Sequence, residues 1–412
     1  MTINNEHKKL NVPNLRFPEF QGEWEEYKLE DITAEIGDGI HATPIYDDNG
    51  TFYFVNGNNI SEYGITITAT TQKVTAEEAL RNNASALNSY SILLSINGTI
   101  GNVALYKNEP IMLGKSACYI NVSSNINRNY IFYYLMMPKC QFYFTSELTG
   151  TTIKNLSLKS VRKTKVLLPN ANEQSKIARL FDAINERIAT QNKIIDKLQS
   201  LIKGMEDNLL DNPLWEKTYL RSFMQFFPTN SLSWEQLSYK EGAIRNLHYG
   251  LIHSFQTRGI NSASLPMIKN EAVPKQYILC QVGDVAFADA SEDTGEIAKS
   301  VEFVDTIEGD TICGLHTIHG RDIKNRTVVG FKGFAFNSRY FHNQIKRLAQ
   351  GTKVFSITAN NLSSCYVYLP DLETQKAIVN LLKTYEAKLL VSKRLLEQYE
   401  KQKQYLLRQM FI

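Results

Sequence analysis

One series of positions reads Ile177, Phe181, Ile184, Ile188, Gln191, Ile195, Leu198, Ile202, Met205 and Leu209. Shifted by 201 residues, the same steps read Ile378, Leu382, Tyr385, Leu389, Ser392, Leu396, Tyr399, Lys403, Leu406 and Met410. Steps alternating four and three, held for more than four heptads, mark a coiled-coil seam and not a short amphipathic helix. The pattern predicts two long helices, over 173–210 and 373–410, each a rod of ~57 Å at 1.5 Å rise per residue. Asn208 to Pro213 closes the first, because Pro213 cannot continue a helix. The fifth seam position is polar in both copies, Gln191 and Ser392. Either the pair fixes register, since a buried polar side chain penalises slipped pairings, or both face a solvated gap.

The duplication extends upstream of the seam. Gly150-Thr151 and Gly351-Thr352, Pro169 and Pro370, Gln174 and Gln375, and Leu180 and Leu381 all keep the offset of 201. Two rods of matched length, separated by a globular insert, pair antiparallel if the insert bridges back to the start of the first rod. That geometry predicts two globular parts at opposite ends of one shaft, related by a pseudo-twofold. The expected division is 1–172, 173–210, 211–372 and 373–412, an α+β chain with an internal repeat. Inside the globular segments, β-rich runs such as Thr51–Val55 and Ser300–Val304 alternate with Gly, Asn and Asp turns. Gly114-Lys115-Ser116-Ala117 matches Gly314-Leu315-His316-Thr317, and Trp24 is matched with Trp234 on their Phe-Pro approaches (Phe17-Pro18, Phe227-Pro228). Similar frames with different side chains suggest two different readers.

Composition excludes several classes. A chain 43% hydrophobic and 21% charged buries proper cores. Its longest fully apolar run, Ile131–Met137, falls far short of the ~20 residues that span a bilayer. With no apolar segment at the start, and five scattered cysteines that suggest no disulfide framework, the expectation is a soluble cytoplasmic protein with no membrane partner. The net charge of +3 hides an uneven distribution. Six bases face one acid over 139–165, eight face one over 321–353, and ten acids face two bases over 271–310. The two basic segments, each just before a rod, are either phosphate-neutralising surfaces or solvated faces.

Catalytic and metal motifs fail one by one. Gly114-Lys115-Ser116 ends like a phosphate-binding loop, but Glu109 occupies the required upstream glycine position. Pro370-Asp371 with Glu386 and Lys388 imitates a nuclease signature, yet the equivalents Asn170, Asn185 and Arg187 hold no metal. Cys313, His316 and His319 have loosely metal-like spacing without a fourth ligand nearby. Asn212-Pro213-Leu214-Trp215 lacks the second proline of a methyltransferase loop. The expectation is a chain with no catalytic residues, cofactor or metal of its own.

Phe17-Pro18-x-Phe20-x-Gly22-x-Trp24-x-x-Tyr27-Lys28-Leu29, Asp38-Gly39-Ile40-His41-Ala42-Thr43-Pro44-Ile45-Tyr46, Asn246–His253 and the Leu-Pro-x-x-x-x-Gln starts of the two rods together resemble the specificity subunits of type I restriction-modification systems. The resemblance covers essentially the whole chain. It implies two mixed α/β target recognition domains joined by two antiparallel spacer helices, each domain reading one half of a bipartite site in double-stranded DNA. It further implies two methyltransferase subunits, up to two restriction subunits, and S-adenosylmethionine, ATP and Mg in those partners alone. Candidate DNA contacts are His41, Thr43, Tyr46, Asn58, Lys115, Thr151, Thr152 and Lys154 in the first domain. In the second they are His248, Tyr249, His253, Arg258, His316, Thr317 and Lys353. The rival reading, a non-catalytic coiled-coil scaffold that binds proteins only, predicts no salt-dependent DNA binding.

Overall fold

The computed structural model describes residues 10–82, 84–150, 154–255, 258–305, 307 and 309–412. By contact the chain divides into two units, Met1–Gln191 with Leu396–Ile412, and Asn192–Leu395. The first unit holds strands β1 (Glu25–Lys28), β2 (Thr33–Asp38), β3 (Phe52–Val55), β4 (Ser91–Ser95), β5 (Val103–Leu105), β6 (Ile111–Leu113), β7 (Ala117–Val122) and β8 (Lys165–Leu168). An antiparallel sheet runs β2-β7-β4-β5, β3 lies parallel to β6, and β1 pairs antiparallel with β8 so that Glu25 faces Leu168. β4 and β7 are buried along their whole length, as expected of strands covered on both faces.

The second unit repeats this plan. Its strands are β9 (Glu216–Tyr219), β10 (Met224–Phe227), β11 (Arg245–Leu247), β12 (Val285–Ala288), β13 (Ser300–Phe303), β14 (Thr311–Cys313), β15 (Thr317–Asp322) and β16 (Tyr366–Leu369). The sheet runs β10-β15-β12-β13 and continues into Gly259–Ile260, β11 lies parallel to β14, and β9 pairs with β16 so that Glu216 faces Leu369. This register corrects one sequence match. Trp24 stands immediately before β1, and the residue immediately before β9 is Trp215, so Trp215 and not Trp234 is its counterpart. The Phe-Pro approach to Trp234 misled because it follows β10, one strand later. Asn212–Trp215, the methyltransferase-like run, is a turn in which Asn212 accepts from the Leu214 and Trp215 backbones.

The long helices are α1 (Ala171–Leu210) and α2 (Leu372–Gln409). Both start at a side-chain cap directly after the repeated proline. Asn170 Oδ1 accepts the Glu173 N–H at 3.0 Å, and Asp371 Oδ1 accepts the Thr374 N–H at 2.8 Å. Asp371 is therefore a helix cap, which explains the nuclease-like Pro-Asp pair structurally. The repeated glutamines are clips. Gln174 accepts the Asn127 N–H at 3.1 Å and donates to the Pro169 carbonyl at 2.8 Å. Gln375 accepts the Val328 N–H at 3.0 Å and donates to the Pro370 and Arg326 carbonyls, both at 3.0 Å. Each buried amide fastens its long helix to a loop of its own unit.

Every seam position of both helices is buried or half-buried, from Ile177 to Leu209 and from Ile378 to Met410. In the first unit the start of α1 meets the end of α2. Ile177, Ala178 and Phe181 share a core with Leu407, Met410 and Phe411, and the Phe181 and Phe411 rings lie 5.6 Å apart. In the second unit the end of α1 meets the start of α2, with Leu210 packed among Ile378, Val379 and Leu382. The pairing sense is antiparallel in each.

The middle of the seam departs from the continuous apolar stripe that the sequence predicts. On α1, Ile184, Ile188, Ile195 and Ile202 are buried and Leu198 is half-buried. None of these five belongs to the large apolar clusters that enclose Ile177 and Phe181 in one unit and Leu210 in the other. On α2, Tyr385, Leu389, Leu396 and Tyr399 are half-buried, whereas Ile378 and Leu382 at its start are buried. Polar seam residues interrupt the stripe further. Gln191 is buried, Ser392 half-buried, and both have partners; Lys403 is buried and bonds Glu62 at 2.5 Å. Among the described residues, no helix is long and apolar enough to cross a membrane.

Candidate nucleic-acid interface

In the first unit, a three-residue turn, Gly114-Lys115-Ser116, joins β6 to β7. A Cβ on Gly114 would lie 2.3 Å from Asn56 Oδ1, so only glycine lets the turn sit against the residue that follows β3. Ser116 Oγ donates to Asn56 Oδ1 at 2.9 Å and accepts the Gly57 N–H at 2.8 Å, which holds the Asn56–Asn59 loop beside the turn. Ile40 N–H donates to the Leu113 carbonyl at 2.9 Å and brings the loop of His41, Thr43 and Tyr46 to the same edge. Asn97 donates to the Lys115 carbonyl at 3.5 Å and bridges Asn155, next to Lys154. His41, Thr43, Tyr46, Asn58, Lys115 and Lys154 are all exposed on these loops. His41 Nε2 lies 2.8 Å from Asp38 Oδ2, and Tyr46 rests edge-on against Phe54. Thr151 and Thr152 lie outside the described residues.

The second unit builds the equivalent turn, Gly314-Leu315-His316, between β14 and β15. A Cβ on Gly314 would lie 2.3 Å from Asn246 Nδ2, and Asn246 stands on the strand parallel to β14. Asn230 locks that asparagine by donating to its Oδ1 at 2.8 Å and to the Cys313 carbonyl at 2.9 Å. His316 is exposed, adopts φ +54°, and places Nδ1 3.0 Å from Asp289 Oδ1. Tyr249 N–H donates to the Leu315 carbonyl at 3.2 Å, and the Tyr249 ring meets His316 edge-on at 5.3 Å. His248 caps the helix Tyr249–Ser254, accepts the Gly250 N–H on Nδ1, and stacks 4.5 Å from Trp234. Burial, and then the neighbouring His316, pull its pKa below the usual histidine value, so this ring favours the neutral form.

The remaining candidates of this unit divide. Thr317 is buried and donates to the Gly314 carbonyl at 2.6 Å. His253 is half-buried, 3.4 Å from both Glu296 Oε2 and the Ala290 carbonyl. Lys353 is exposed on a loop leading into Phe355–Ser356, which pairs with Ala290–Ser291 beside Asp289. Arg258 points elsewhere, its guanidinium 3.2 Å from Glu206 of α1 and 3.6 Å from Glu386 of α2. Sequence reasoning missed Asn56, Asn246, Trp234 and Asp289. Asn56 directly follows the β-rich run Thr51–Val55 and Asn246 opens the Asn246–His253 segment, but the sequence assigned neither a role at the turn.

The basic segments are partly used inside the fold. Arg321 grips Asp284 with two bonds, Arg326 pairs with Glu216, Lys332 is buried against Glu302, and Lys165 pairs with Glu26. Lys139, Lys154, Lys159, Lys163, Lys324, Arg339, Lys346, Arg347 and Lys353 are exposed and have no acidic partner among the described residues. They are the charges free to meet a polyanion.

Among known proteins, the type I restriction modification DNA specificity domain family matches residues 21–200 and 264–401. The type I restriction enzyme MjaVIII specificity subunit of Methanocaldococcus jannaschii is 27% identical over 292 residues, covering 66% of this chain and 67% of its own. A second protein of that organism, carrying the name of the type I restriction enzyme MjaX specificity subunit, is 25% identical over 422 residues, 96% of this chain and 95% of its own. Among solved structures, the type I restriction-modification S subunit from M. genitalium superposes with a TM-score of 0.59 at 15% identity, covering 97% of this chain and 99% of that one. A chain from a study of complex assembly and conformational transition of the type I R-M system gives 0.56 at 13% identity, covering 98% and 99%.

Proposed function

The chain belongs to the type I restriction modification DNA specificity domain family, and from that membership we propose that it reads the two halves of a bipartite DNA site. As a specificity subunit it recognises DNA sequence for its complex, and the scaffold-only reading is not favoured. Residues 1–172 read one half-site, 211–372 read the other, and the helices over 173–210 and 373–412 set the gap. The observation that carries this reading is the repeated turn, Gly114–Ser116 and Gly314–His316, seated on an asparagine in both units while offering a lysine in one and a histidine in the other. A constant seat with changed side chains is how one frame reads two different sequences. Base contacts fall to the exposed His41, Thr43, Tyr46, Asn58, Lys115 and His316, with Lys154 and Lys353 on phosphates, while buried His248 and Thr317 shape the second turn. Thr151 and Thr152 complete the first reader, with Tyr249 and His253 in the second, and Arg258 braces its helices.

Two methyltransferase subunits and up to two restriction subunits complete the assembly, and they bring the S-adenosylmethionine, ATP and Mg that adenine N6 methylation and DNA cleavage require. Ile194 and Leu201 on α1, and Leu381, Val391 and Leu395 on α2, are exposed apolar side chains that a partner helix could cover. The test is methylome mapping in a host expressing the assembled complex, with and without one heptad inserted into α1. An altered gap with both half-sequences preserved supports the reading. An altered half-sequence with an unchanged gap overturns it.

A further inference from the structure

We propose that Cys280, Cys313 and His319 form a buried zinc-binding site that staples the recognition turn of the second unit. Their ligand atoms lie within 4.8 Å of one another, and all three residues are at least nine-tenths buried. The loosely metal-like spacing of Cys313, His316 and His319 is rejected from the sequence for want of a fourth ligand, and the fold separates that trio. His316 is exposed and turned to Asp289, and Cys280, 33 residues upstream of Cys313, takes its place. Leu279 bridges Ile312 and the Cys280 N–H donates to the Thr311 carbonyl at 2.8 Å, so Cys280 is held across from β14.

Three features fit a metal centre. The Cys280 and Cys313 sulfurs are 3.6 Å apart, and two sulfurs bound to one tetrahedral zinc at ~2.3 Å are separated by about 3.8 Å. His319 Nε2 bonds Asp284 Oδ2 at 2.7 Å, a carboxylate–histidine arrangement of the kind that orients a ligating imidazole, and Nδ1 would then be the nitrogen offered to the ion. Asp284 is itself fixed, since Arg321 Nε and Nη2 reach its two oxygens at 2.8 and 2.7 Å and the Gln281 N–H adds a third bond at 2.8 Å. It accepts so many bonds that it serves as the orienting group and not as a ligand. Thr311, whose carbonyl accepts the Cys280 N–H, buries a hydroxyl with no hydrogen-bond partner among the described residues, two residues from Cys313 along β14. Charge closes as well. Zinc(II) with two thiolates and a neutral imidazole is neutral, as is Asp284 with Arg321, and the two thiol protons leave to solvent.

The placement gives the site a purpose. Cys313 ends β14 and His319 lies inside β15, so the ion would cross-link both strands flanking Gly314–His316 to the segment before β12. The test uses the full chain purified without chelator. Elemental analysis is expected to find one zinc per chain, and titration of the apo protein with cobalt(II) to give a thiolate-to-metal charge-transfer band and a tetrahedral visible spectrum. Cys313→Ser and His319→Ala are expected to lose roughly 100-fold or more in cobalt affinity, whereas Cys365→Ser, at another buried thiol, keeps it. Substoichiometric zinc with no charge-transfer band in the wild-type chain overturns the proposal. So does a Cys280–Cys313 disulfide, seen as a mass about 2 Da lower that reductant restores, if the reduced protein then takes up no cobalt.

Discussion

Glu386→Gln is expected to make the second unit more stable at alkaline pH and nearly unchanged at mildly acidic pH. Glu206 and Glu386 converge from the two long helices on one guanidinium, Arg258, at 3.2 and 3.6 Å. Two carboxylates contact one guanidinium, and both acids are about nine-tenths buried. Burial pushes the Glu386 carboxyl up to about 7; Arg258 and Lys383 oppose the shift, and Glu206 adds to it. Burial raises the Glu206 carboxyl as well, so the titrations of the two acids are coupled. The folded value lies above the ordinary value of 4.5, so the folded state holds more protons than the unfolded state between those limits. Stability is therefore full below about pH 4.5 and falls as pH rises through about 7. Over pH 5 to 8 the loss is about 2–3 kcal/mol, at 1.36 kcal/mol per pKa unit.

Glutamine keeps the shape and removes the titration. Its stability advantage over the wild type is expected to grow by about that amount between pH 5 and pH 8. Hydrogen exchange read on peptides covering 199–210 and 380–393 localises the effect to this cluster, and denaturant unfolding at both pH values gives the size. An advantage that stays constant from pH 5 to 8 refutes the raised titration of Glu386. Arg258→Ala supplies the opposite sign. It strips the bridging guanidinium from two buried acids, and its destabilisation is expected to deepen with rising pH.

Gly314→Ala drives a methyl group into Asn246 and is expected to cost about 1–3 kcal/mol and to weaken specific DNA binding by the assembled complex, read by thermal melting and by titration. Phe411→Ala empties a site shared by Tyr130, Tyr134 and Phe181 and is expected to destabilise the first unit by about 3–5 kcal/mol, measured by denaturant unfolding. Gln375→Leu leaves the Val328 N–H and the Arg326 and Pro370 carbonyls without their clip; a loss of about 2–4 kcal/mol is expected, with faster exchange at Val328. Lys154→Ala is expected to reduce the salt slope of DNA binding by about 1 without changing the methylated sequence, as a phosphate contact should.

The long helices were legible because a seam obeys a period, and a period survives in the sequence whatever surrounds it. The depth of that seam was not. Ile184, Ile188, Ile195 and Leu198 obey the same period as Ile177 and Phe181, yet only the latter pair joins a large apolar core, because a period along one helix does not report what packs against it. The caps were equally hidden. Asn170 and Asp371 sat at the repeat offset, but one is neutral and the other charged, and only the backbone N–H each accepts shows their common task. The repeated glutamines were visible as repeats and opaque as clips, since their partners, Asn127 and Val328, lie some 47 residues upstream. The turns at 114–116 and 314–316 were matched on glycine alone. Distance in sequence concealed why glycine was needed, because the asparagines it must clear are 58 and 68 residues away. The tryptophan match failed for a related reason: a local Phe-Pro approach recurs by chance more readily than a strand pairing.

The internal repeat separates what the frame requires from what recognition requires. Both units keep the cap, the buried glutamine, the strand pair that closes each globular part, and the asparagine behind the glycine turn. All of these satisfy backbone groups or fill contacts that no solvent molecule reaches, so substitution there costs folding free energy in either copy. The exposed turn residues bear no such constraint, and they are where the copies differ: Lys115 beside Asn58 and His41 in one unit, His316 on Asp289 beside Tyr249 in the other. A lysine offers a mobile point charge with three donors, whereas a histidine braced by a carboxylate presents a fixed planar ring. Replacing Lys115, which leaves the Ser116 bonds to Asn56 and Gly57 in place, should therefore change contact chemistry without disturbing the seat, while exchanging an asparagine for a larger side chain should damage the turn it supports.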